Sequence, residues 1–329
     1  MPQARVLSGM RPTGKLHFGH YHGVLANWLR LQEEYECFFF VADWHALTTD
    51  YANPSNIKDN IREMVIDWLS VGIDPKKATI FKQSAIKEHS ELLVLLSMIT
   101  PLPWLERNPT YKEQIQEIKD KDIHTYGFLG YPVLQTSDII VYKANKVPVG
   151  IDQAPHLELS REITRRFNFL YGEVFPEPET LLTAIPKVLG TDGRKMSKSY
   201  NNAIFLSDPP EEIEKKILTM MTDTARKKRT DVGNPDLCPL FLTFHNLYSD
   251  ENTINWVREG CTKALIGCIE CKKSVLPKVL ANIEPVQKRR KELEAQPGQI
   301  TGILSEGAKR AQPIAAATMK EVRAAMGIE

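Results

Sequence analysis

The first two thirds of the chain alternate short apolar runs with segments whose apolar residues recur at helical spacing. The apolar runs predict strands at Arg5–Met10, Cys37–Ala42, Thr79–Lys82 and Lys146–Val149. The helical spacing predicts helices at Phe18–Glu33, at Pro54–Val71, at Glu88–Ile99 and from about Gln153 to Asn168. This order of elements predicts an α/β fold with a Rossmann-type, doubly wound parallel sheet.

The pattern changes near Asp208-Pro209-Pro210, after which strand-like runs disappear. Helical spacing predicts the helices Glu211–Met221, Leu240–Leu247, Thr253–Ile269, Ser274–Ala295 and Ile303–Met326. We therefore expect a catalytic domain at residues 1–206 and an all-helical C-terminal domain at residues 207–329. Whether the last helices pack back onto the first domain stays open at this point.

Composition narrows the class of protein without naming a function. The 329 residues are 42% hydrophobic and 25% charged, as in ordinary soluble domains, and the formal net charge is +1. A near-neutral chain has no global attraction for nucleic acid, so any such site must be a local patch. No apolar run approaches the roughly 20 residues that span a bilayer, and the N-terminus lacks the apolar core of a signal peptide. A cytoplasmic protein is expected.

A glycine-rich turn follows the first strand, in the order strand, loop, helix. Glycine lets the backbone approach a ligand closely, and a helix N-terminus presents free N–H groups to phosphate. His17 and His20 lie three residues apart at the start of the helix, so both rings can donate hydrogen bonds to an α-phosphate. The spacing matches neither a Walker loop nor G-x-G-x-x-G. Taken alone, the two histidines could be surface or capping residues.

A second candidate phosphate element is the lysine loop, Lys195-Met196-Ser197-Lys198-Ser199. Lys195 and Lys198 can neutralise the charge that develops on departing pyrophosphate, and the preceding Gly190 and Gly193 allow the loop to close. Taken alone, such a pentapeptide could equally be a solvated basic loop.

Together, His17-Phe18-Gly19-His20 and the lysine loop resemble the two signature motifs of class I aminoacyl-tRNA synthetases, in the expected order. Residues 7–168 also resemble the tryptophanyl-tRNA synthetases over long stretches, including Val41–Ala46, Tyr131–Tyr142 and Val149–Asn168. The resemblance implies activation of tryptophan with ATP and Mg²⁺, followed by transfer to tRNA(Trp), by a homodimer joined through the Rossmann domain. Two alternatives remain open here: a tyrosyl-tRNA synthetase, and an adenylyltransferase-like paralogue that does not charge tRNA.

The resemblance also assigns the ATP site, with His17, His20, Lys195 and Lys198 as the catalytic residues. It implies ATP contacts at Arg11, Pro12, Thr13, Gly19, His20, Gly150, Ile151, Asp152, Val188, Lys195, Met196, Ser197, Lys198 and Ser199. Arg11 and His20 depart from the family, which commonly has glutamine and asparagine at these positions, and the role of Arg11 is left open.

A pocket for indole needs a buried acceptor, because indole offers a single N–H donor. Asp138 lies within the apolar helical pattern Tyr131–Ile140, where an unpartnered carboxylate is rarely tolerated. By resemblance Asp138 accepts the indole N–H, although capping or ion pairing could also explain an aspartate there. The resemblance adds Gly9, His45, Tyr131 and Gln153 as further contacts to tryptophan.

Four of the five cysteines, Cys238, Cys261, Cys268 and Cys271, are separated by 22, 6 and 2 residues. Four thiolates can bind zinc or an iron–sulfur cluster. In the alternative without metal, Cys261, Cys268 and Cys271 are small core residues on one face of a single helix. The spacing resembles that of a subset of bacterial tryptophanyl-tRNA synthetases with a [4Fe-4S] cluster, which is therefore expected, with zinc second. Cys37 is predicted to be a buried apolar residue.

Two basic runs, Arg226–Arg229 and Lys288–Lys291, interrupt the helical part of the chain. Such runs are usually solvated helix faces, but a tRNA substrate makes contact with phosphate plausible. The residues that would read the anticodon bases cannot be named from the sequence.

Overall fold

The computed structural model describes residues 4–117, 121–150, 154–182 and 188–329. Five parallel strands form one sheet in the order β3-β2-β1-β4-β5. The strands are β1 Arg5–Met10, β2 Glu36–Val41, β3 Ala78–Lys82, β4 Lys146–Val149 and β5 Glu179–Leu182. The four predicted strands are present within two residues, and β5 is an addition. The Rossmann-type fold is thereby confirmed.

Helices cover the sheet and connect its strands. They are α1 Phe18–His20, α2 Ala26–Glu34, α3 Asp43–Asp50, α4 Ile57–Val71, α5 Glu88–Ser97, α6 Leu102–Glu106, α7 Pro109–Glu117, α8 Tyr126–Leu129, α9 Tyr131–Ile140 and α10 Ala154–Tyr171. A π-helical turn, Tyr21–Leu25, joins α1 to α2, so the helix predicted at Phe18–Glu33 is one continuous run with a local bulge.

The central strand β2 shows why its sequence reads as an unbroken apolar run. Phe39 lies on one face and stacks on Trp28 with ring centroids 4.2 Å apart, and Phe38 lies on the other face, 5.0 Å from the ring of Tyr142. A strand covered on both faces must be apolar at every position. Cys37 is likewise buried, as predicted.

The C-terminal third is helical: α11 Pro210–Thr219, α12 Asn246–Tyr248, α13 Glu251–Thr262, α14 Cys268–Glu294 and α15 Pro297–Ala325, with a π-helical turn at Phe241–His245. The last two helices do pack back, α14 against α4 and α15 against β3. Within the described part of the chain, none of the helices is long and apolar enough to cross a membrane.

The predicted helix Thr253–Ile269 is wrong in its extent. The helix α13 ends at Thr262, and the following turn contains Ala264 with a positive φ of 55°. The helix α14 then starts at Cys268. Cys261 therefore lies on a different helix from Cys268 and Cys271, and a single-face stripe is excluded. The irregular turn was hidden because Lys263–Gly267 contains no proline.

Candidate active site

The glycine-rich turn brings His17 and His20 together at the carboxyl end of β1. His17 has extended backbone and forms an antiparallel bridge with Phe205, and the two imidazole rings lie 3.8 Å apart. Burial lowers the pKa of His17 to about 4 and that of His20 to about 3. Both rings are therefore neutral near pH 7 and can donate one N–H each. The buried Nδ1 of His17 has no hydrogen-bond partner among the described residues.

The lysine loop is held at its base by short backbone pairing and by one buried side chain. Leu189 bridges to Lys195, and the N–H of Met196 donates to the carbonyl of Val188 at 3.0 Å. Asn202 donates to Asp192 Oδ1 at 2.7 Å and accepts from the N–H of Ser197 at 2.8 Å. This asparagine was not singled out from the sequence.

The two loops meet. Lys198 Nζ donates to the carbonyl of Thr13 at 2.6 Å and to its hydroxyl at 3.1 Å. A Cβ added at Gly19 would lie 3.6 Å from Cβ of Met196, so the two motifs are in van der Waals reach. Burial lowers the pKa of Lys198 to about 8. The two motifs therefore bring together two neutral histidines and a partly desolvated lysine, a set suited to a triphosphate.

The side chain of Arg11 contacts α3. Its guanidinium donates to the hydroxyl of Thr49 and lies 4.0 Å from Asp50 Oδ2. Burial lowers the pKa of Arg11, with Asp50 and Tyr131 acting in the opposite direction. Because Tyr131 is predicted to contact tryptophan, this position places Arg11 next to the predicted amino-acid pocket.

Gly150 directly follows β4 and is buried, at the sheet edge where parallel strands of open α/β sheets bind ligands. Ile151, Asp152 and Gln153 lie outside the described residues, and their assigned contacts stay predictions. Pro12 and Val188 are buried, whereas Lys195 and Ser199 are exposed.

Asp138 is a buried carboxylate with three side-chain donors. Gln83 Nε2 lies 2.8 and 2.9 Å from its two oxygens, His45 Nε2 lies 2.9 Å from Oδ2, and His89 Nδ1 lies 2.6 Å from Oδ1. Burial alone would raise the pKa of Asp138, but the hydrogen bonds from His45 and His89 outweigh it, and the pKa lies below its ordinary value. The group is an anion at neutral pH. Gln83 contacts both oxygens, so the three donors already make four short contacts, about the number that a carboxylate accepts.

Two members of this cluster, Gln83 and His89, were not found from the sequence. His89 is fixed in turn by Tyr142, whose hydroxyl lies 2.7 Å from His89 Nε2. Burial raises the pKa of Tyr142 well above its ordinary value, so its O–H is available to donate to His89. The members of this cluster lie on different elements of secondary structure, so the spacing of residues within one helix could not predict it.

The remaining predicted tryptophan contacts border this cluster. The ring of Tyr131 lies 6.4 Å from that of His45 in an edge-on arrangement. Gly9 lies on β1 opposite Phe40, and a Cβ at this position would meet the Phe40 ring at 2.4 Å. Only glycine fits there without moving that ring.

The four C-terminal cysteines are free thiols that influence each other electrostatically. Burial raises the pKa of Cys271 to about 12, and the neighbouring thiols Cys238, Cys261 and Cys268 add to the rise. Cys271 Sγ lies 3.3 Å from His245 Nε2. Among the described residues, no group of three or more His, Cys, Asp or Glu side chains stands in a metal-binding arrangement.

Both basic runs contain a buried arginine, which neither a solvated helix face nor a phosphate contact predicts. Arg226 donates to the carbonyls of Arg229 and Ile266 and lies 3.7 Å from Cys261 Sγ. Arg290 is paired with Asp67 and Glu63. These two side chains have structural partners and are not available to phosphate.

Comparisons with known proteins agree on a family. A sequence profile of the class I tRNA synthetases for tryptophan and tyrosine matches residues 2–281. A tryptophan–tRNA ligase of Thermotoga maritima is 53% identical, and the match covers 98% of this chain and 99% of the relative. One of Aquifex aeolicus is 46% identical, covering 98% of this chain and all of the relative.

A crystal structure of tryptophanyl-tRNA synthetase from Campylobacter jejuni, complexed with ADP and tryptophan, has the same fold. It superposes with a TM-score of 0.88 at 33% identity, covering 98% of this chain and 99% of the other. The agreement extends over both the sheet and the C-terminal helices.

Proposed function

This chain belongs to the class I aminoacyl-tRNA synthetases, and within them to the tryptophan–tRNA ligases, and we propose that the cleft between the glycine-rich turn and the lysine loop is its activating site. The enzyme uses tryptophan, ATP and tRNA(Trp). The observation that carries the site assignment is the contact of Lys198 with Thr13, which joins the two signature motifs.

In the first step, a carboxylate oxygen of tryptophan attacks the α-phosphorus of ATP, and the bond to the β-phosphate oxygen breaks. Pyrophosphate leaves, and tryptophanyl-adenylate remains. The neutral His17 and His20 donate hydrogen bonds to the α-phosphate, while Lys195 and Lys198 neutralise charge on the leaving pyrophosphate. Mg²⁺ bound to the triphosphate would supply further positive charge there. Positioning and charge stabilisation carry the rate, and no proton needs to be removed from a reacting atom.

In the second step, the terminal ribose 2′-hydroxyl of tRNA attacks the tryptophanyl carbonyl. The ester bond forms, the bond to AMP breaks, and the phosphate of the departing AMP takes up the hydroxyl proton. During both steps Asp138 accepts the indole N–H in place of one of its two contacts with Gln83, beside His45 and His89. A site built around this hydrogen bond rejects phenylalanine.

The test is tryptophan-dependent exchange of pyrophosphate into ATP, followed by aminoacylation of tRNA(Trp). The unaltered protein is expected to exchange with tryptophan and not with tyrosine. Lys198→Ala is expected to lower exchange by orders of magnitude and to leave tryptophan binding, measured by calorimetry, largely intact. The matched control is Lys309→Ala, which removes an exposed lysine of α15. Unchanged exchange in Lys198→Ala would contradict the role of the cleft.

We also propose the division of labour along the chain: residues 1–206 activate tryptophan, and residues 207–329 bind the anticodon region of tRNA. The proposed homodimer is supported by three exposed apolar side chains that are close in sequence: Val94 on α5, Met98 directly after it and Leu102 at the start of α6. Met98→Glu is expected to give a monomer in sedimentation. A dimer that survives this change would contradict an interface at α5 and α6.

Finally, we propose that Cys238, Cys261, Cys268 and Cys271 ligate a [4Fe-4S] cluster. The donor set is four free thiols that interact electrostatically with each other. Two cations, Arg226 and Lys272, also interact with these thiols. Four thiolates around such a cluster carry net negative charge, which these cations would offset. The cluster would supply a structural cross-link between α13 and α14, far in sequence from the ATP motifs.

Anaerobically purified protein is expected to be brown and to contain iron and acid-labile sulfide. Cys268→Ser is expected to lose both and to keep tryptophan-dependent exchange at low temperature. Cys37→Ser is the matched control, because Cys37 lies in β2 and is expected to leave the iron content unchanged. A colourless protein with stoichiometric zinc would overturn the cluster in favour of the second metal.

A further inference from the structure

A buried ion pair joins the C-terminal helix α14 to the catalytic domain. Arg290 is 3% exposed and its guanidinium contacts Asp67, which is 0% exposed, and Glu63. Asp67 lies in α4, and 223 residues separate the two partners. Glu294, one turn further along α14, lies 3.0 Å from the same guanidinium, so three carboxylates of the described residues contact the buried arginine of the second basic run.

The same aspartate reaches the nucleotide turn. While Oδ1 of Asp67 faces Arg290, Oδ2 accepts the backbone N–H of Leu16 at 2.7 Å. The N–H of Leu16 belongs to the peptide between Lys15 and Leu16, so the hydrogen bond fixes the backbone one residue before the first signature histidine. The negative charge of the Asp67 carboxylate also acts to raise the pKa of Lys198.

The segment around Leu16 is held from its other side as well. The carbonyl of Leu16 accepts from the N–H of Leu206 at 2.9 Å, and the N–H of Phe18 donates to the carbonyl of Ile204 at 3.0 Å. The residues 204–206 follow the lysine loop directly. The bases of the two signature motifs are therefore paired with each other by backbone hydrogen bonds.

The helix α14 contacts this pairing a second time. Gln287, three residues before Arg290, donates from Nε2 to the carbonyl of Asp208 at 2.7 Å and to that of Leu206 at 3.3 Å. The helix α14 therefore contacts both segments that pair with each other. Arg290 acts on Leu16 through Asp67, and Gln287 binds the backbone of residues 206–208 directly.

Stability alone does not account for the Arg290–Asp67 pair. Burial raises the pKa of Asp67 to about 6, although Arg290 acts to lower it. The carboxylate is mostly ionised at neutral pH, but its desolvation is only partly offset. A buried ion pair of this kind is often no more stabilising than apolar side chains of similar size. A carboxylate can, however, accept the Leu16 N–H while bound to arginine, which no apolar side chain can do.

We propose that Arg290 and Asp67 are positioning residues for ATP activation: Arg290 orients the Asp67 carboxylate, which holds the N–H of Leu16 and so sets His17 in the nucleotide cleft. The inference rests on the proposed function of that cleft. It gives a helix of the predicted tRNA-binding part direct control over the geometry at which the α-phosphate is bound.

Two double variants separate the acceptor role from the burial of charge. Asp67→Asn with Arg290→Met removes both charges and keeps an oxygen that can accept from Leu16. Asp67→Leu with Arg290→Met removes both charges and offers a side chain of nearly the same shape without an acceptor. The two variants differ only at residue 67, where the amide offers an oxygen to the N–H of Leu16 and leucine does not, so a difference confined to the ATP kinetics reports on this hydrogen bond.

The leucine double variant is expected to show a kcat/KM for ATP in pyrophosphate exchange about tenfold below that of the asparagine double variant, the effect of one lost hydrogen bond. The KM for tryptophan is expected to be equal in the two, because Asp138 and its partners are untouched. Measurements are made at a temperature where circular dichroism shows both proteins folded. Arg310→Met is the control for loss of a helix-to-domain arginine, since Arg310 bonds the carbonyls of Pro75 and Ala78, remote in sequence from Leu16.

Equal ATP kinetics in the two double variants would overturn the inference, as would a loss that affects tryptophan and ATP equally. Absence of tryptophan-dependent exchange in the unaltered protein would instead contradict the proposed function. The two failures are therefore distinguishable within one set of assays.

Discussion

The charge of Lys198 gives the cleft a pH dependence that can be measured. Its folded-state pKa is lowered to about 8 by burial, so the cation that binds phosphate is lost as the pH rises through that value. We expect kcat/KM for ATP, which reports on the free enzyme, to fall above about pH 8. In Lys198→Arg the guanidinium stays charged, and the alkaline fall is expected to disappear even though the rate is lower. An alkaline fall that persists in Lys198→Arg would assign the titration to another group.

Asp138 permits a test that changes the substrate as well as the protein. The benzothiophene analogue of tryptophan has nearly the same shape but no N–H, so it cannot donate to the carboxylate. We expect the unaltered enzyme to prefer tryptophan by roughly 10- to 100-fold in kcat/KM, the value of a hydrogen bond to a charged group. In Asp138→Asn this preference is expected to shrink. Because the preference compares two substrates on the same protein, a change in stability does not alter this expectation. Equal discrimination in both proteins would show that indole is bound elsewhere.

The residues that carry chemistry in the motifs were predictable, whereas their supporting partners were not. His17, Lys198 and Asp138 were identified because short patterns and their family resemblance mark them. Gln83, His89, Asn202, Asp67 and Arg290 lack such a pattern. Their hydrogen bonds join elements distant in sequence, and only the fold brings the partners together.

Among the elements, the lysine loop depends on a single buried side chain. Asn202 donates to Asp192 and to the carbonyl of Lys195 at 3.2 Å, and it accepts from Ser197. Asn202→Ala is expected to raise the KM for ATP about tenfold or more, because the loop loses three hydrogen bonds that preorganise it. The KM for tryptophan is expected to stay constant. Asn246→Ala, which removes one exposed hydrogen bond to Leu242, is the control. An unchanged KM for ATP in Asn202→Ala would show that ATP itself orders the loop.

Elements were predicted best where burial imposes a uniform pattern. The strands β1 and β4 were placed at their observed bounds because their apolar runs are bounded by turn residues. The strand β5 was missed because Glu179–Leu182 is a short edge strand with one polar and one charged residue. The break after α13 was missed because apolar spacing continues through Leu265 and Ile266 although the backbone turns there.

On the scale of the whole molecule, the sequence division into two parts does not correspond to two separate cores. The residues of α4, α14 and β1 belong to one hydrophobic cluster, and those of α15 share a second cluster with β2 and β3. The helical part therefore covers faces of the sheet that would otherwise meet water. We expect one cooperative unfolding transition. Two separated transitions in calorimetry would indicate that the parts fold independently.

The crossing of α15 over β3 gives the sharpest test of this shared core. A Cβ added at Gly307 would lie 1.8 Å from the carbonyl oxygen of Ile80, whereas one added at Gly302, on the same helix, would meet nothing within 4 Å. Gly302→Ala is therefore expected to raise the free energy of unfolding by up to about 1 kcal/mol through helix propensity. Gly307→Ala gains the same propensity but must push the helix off the sheet, and a net loss of about 1–3 kcal/mol is expected.

Denaturant melts of the two variants measure the difference, and pyrophosphate exchange at low temperature shows whether the displaced helix reaches the cleft. Because α15 packs chiefly on β3, we expect Gly307→Ala to lower stability while its KM for ATP stays close to that of the unaltered protein. Equal stability of Gly302→Ala and Gly307→Ala would mean that α15 does not press on β3. The fold-back of the last helix would then contribute little to holding the catalytic sheet.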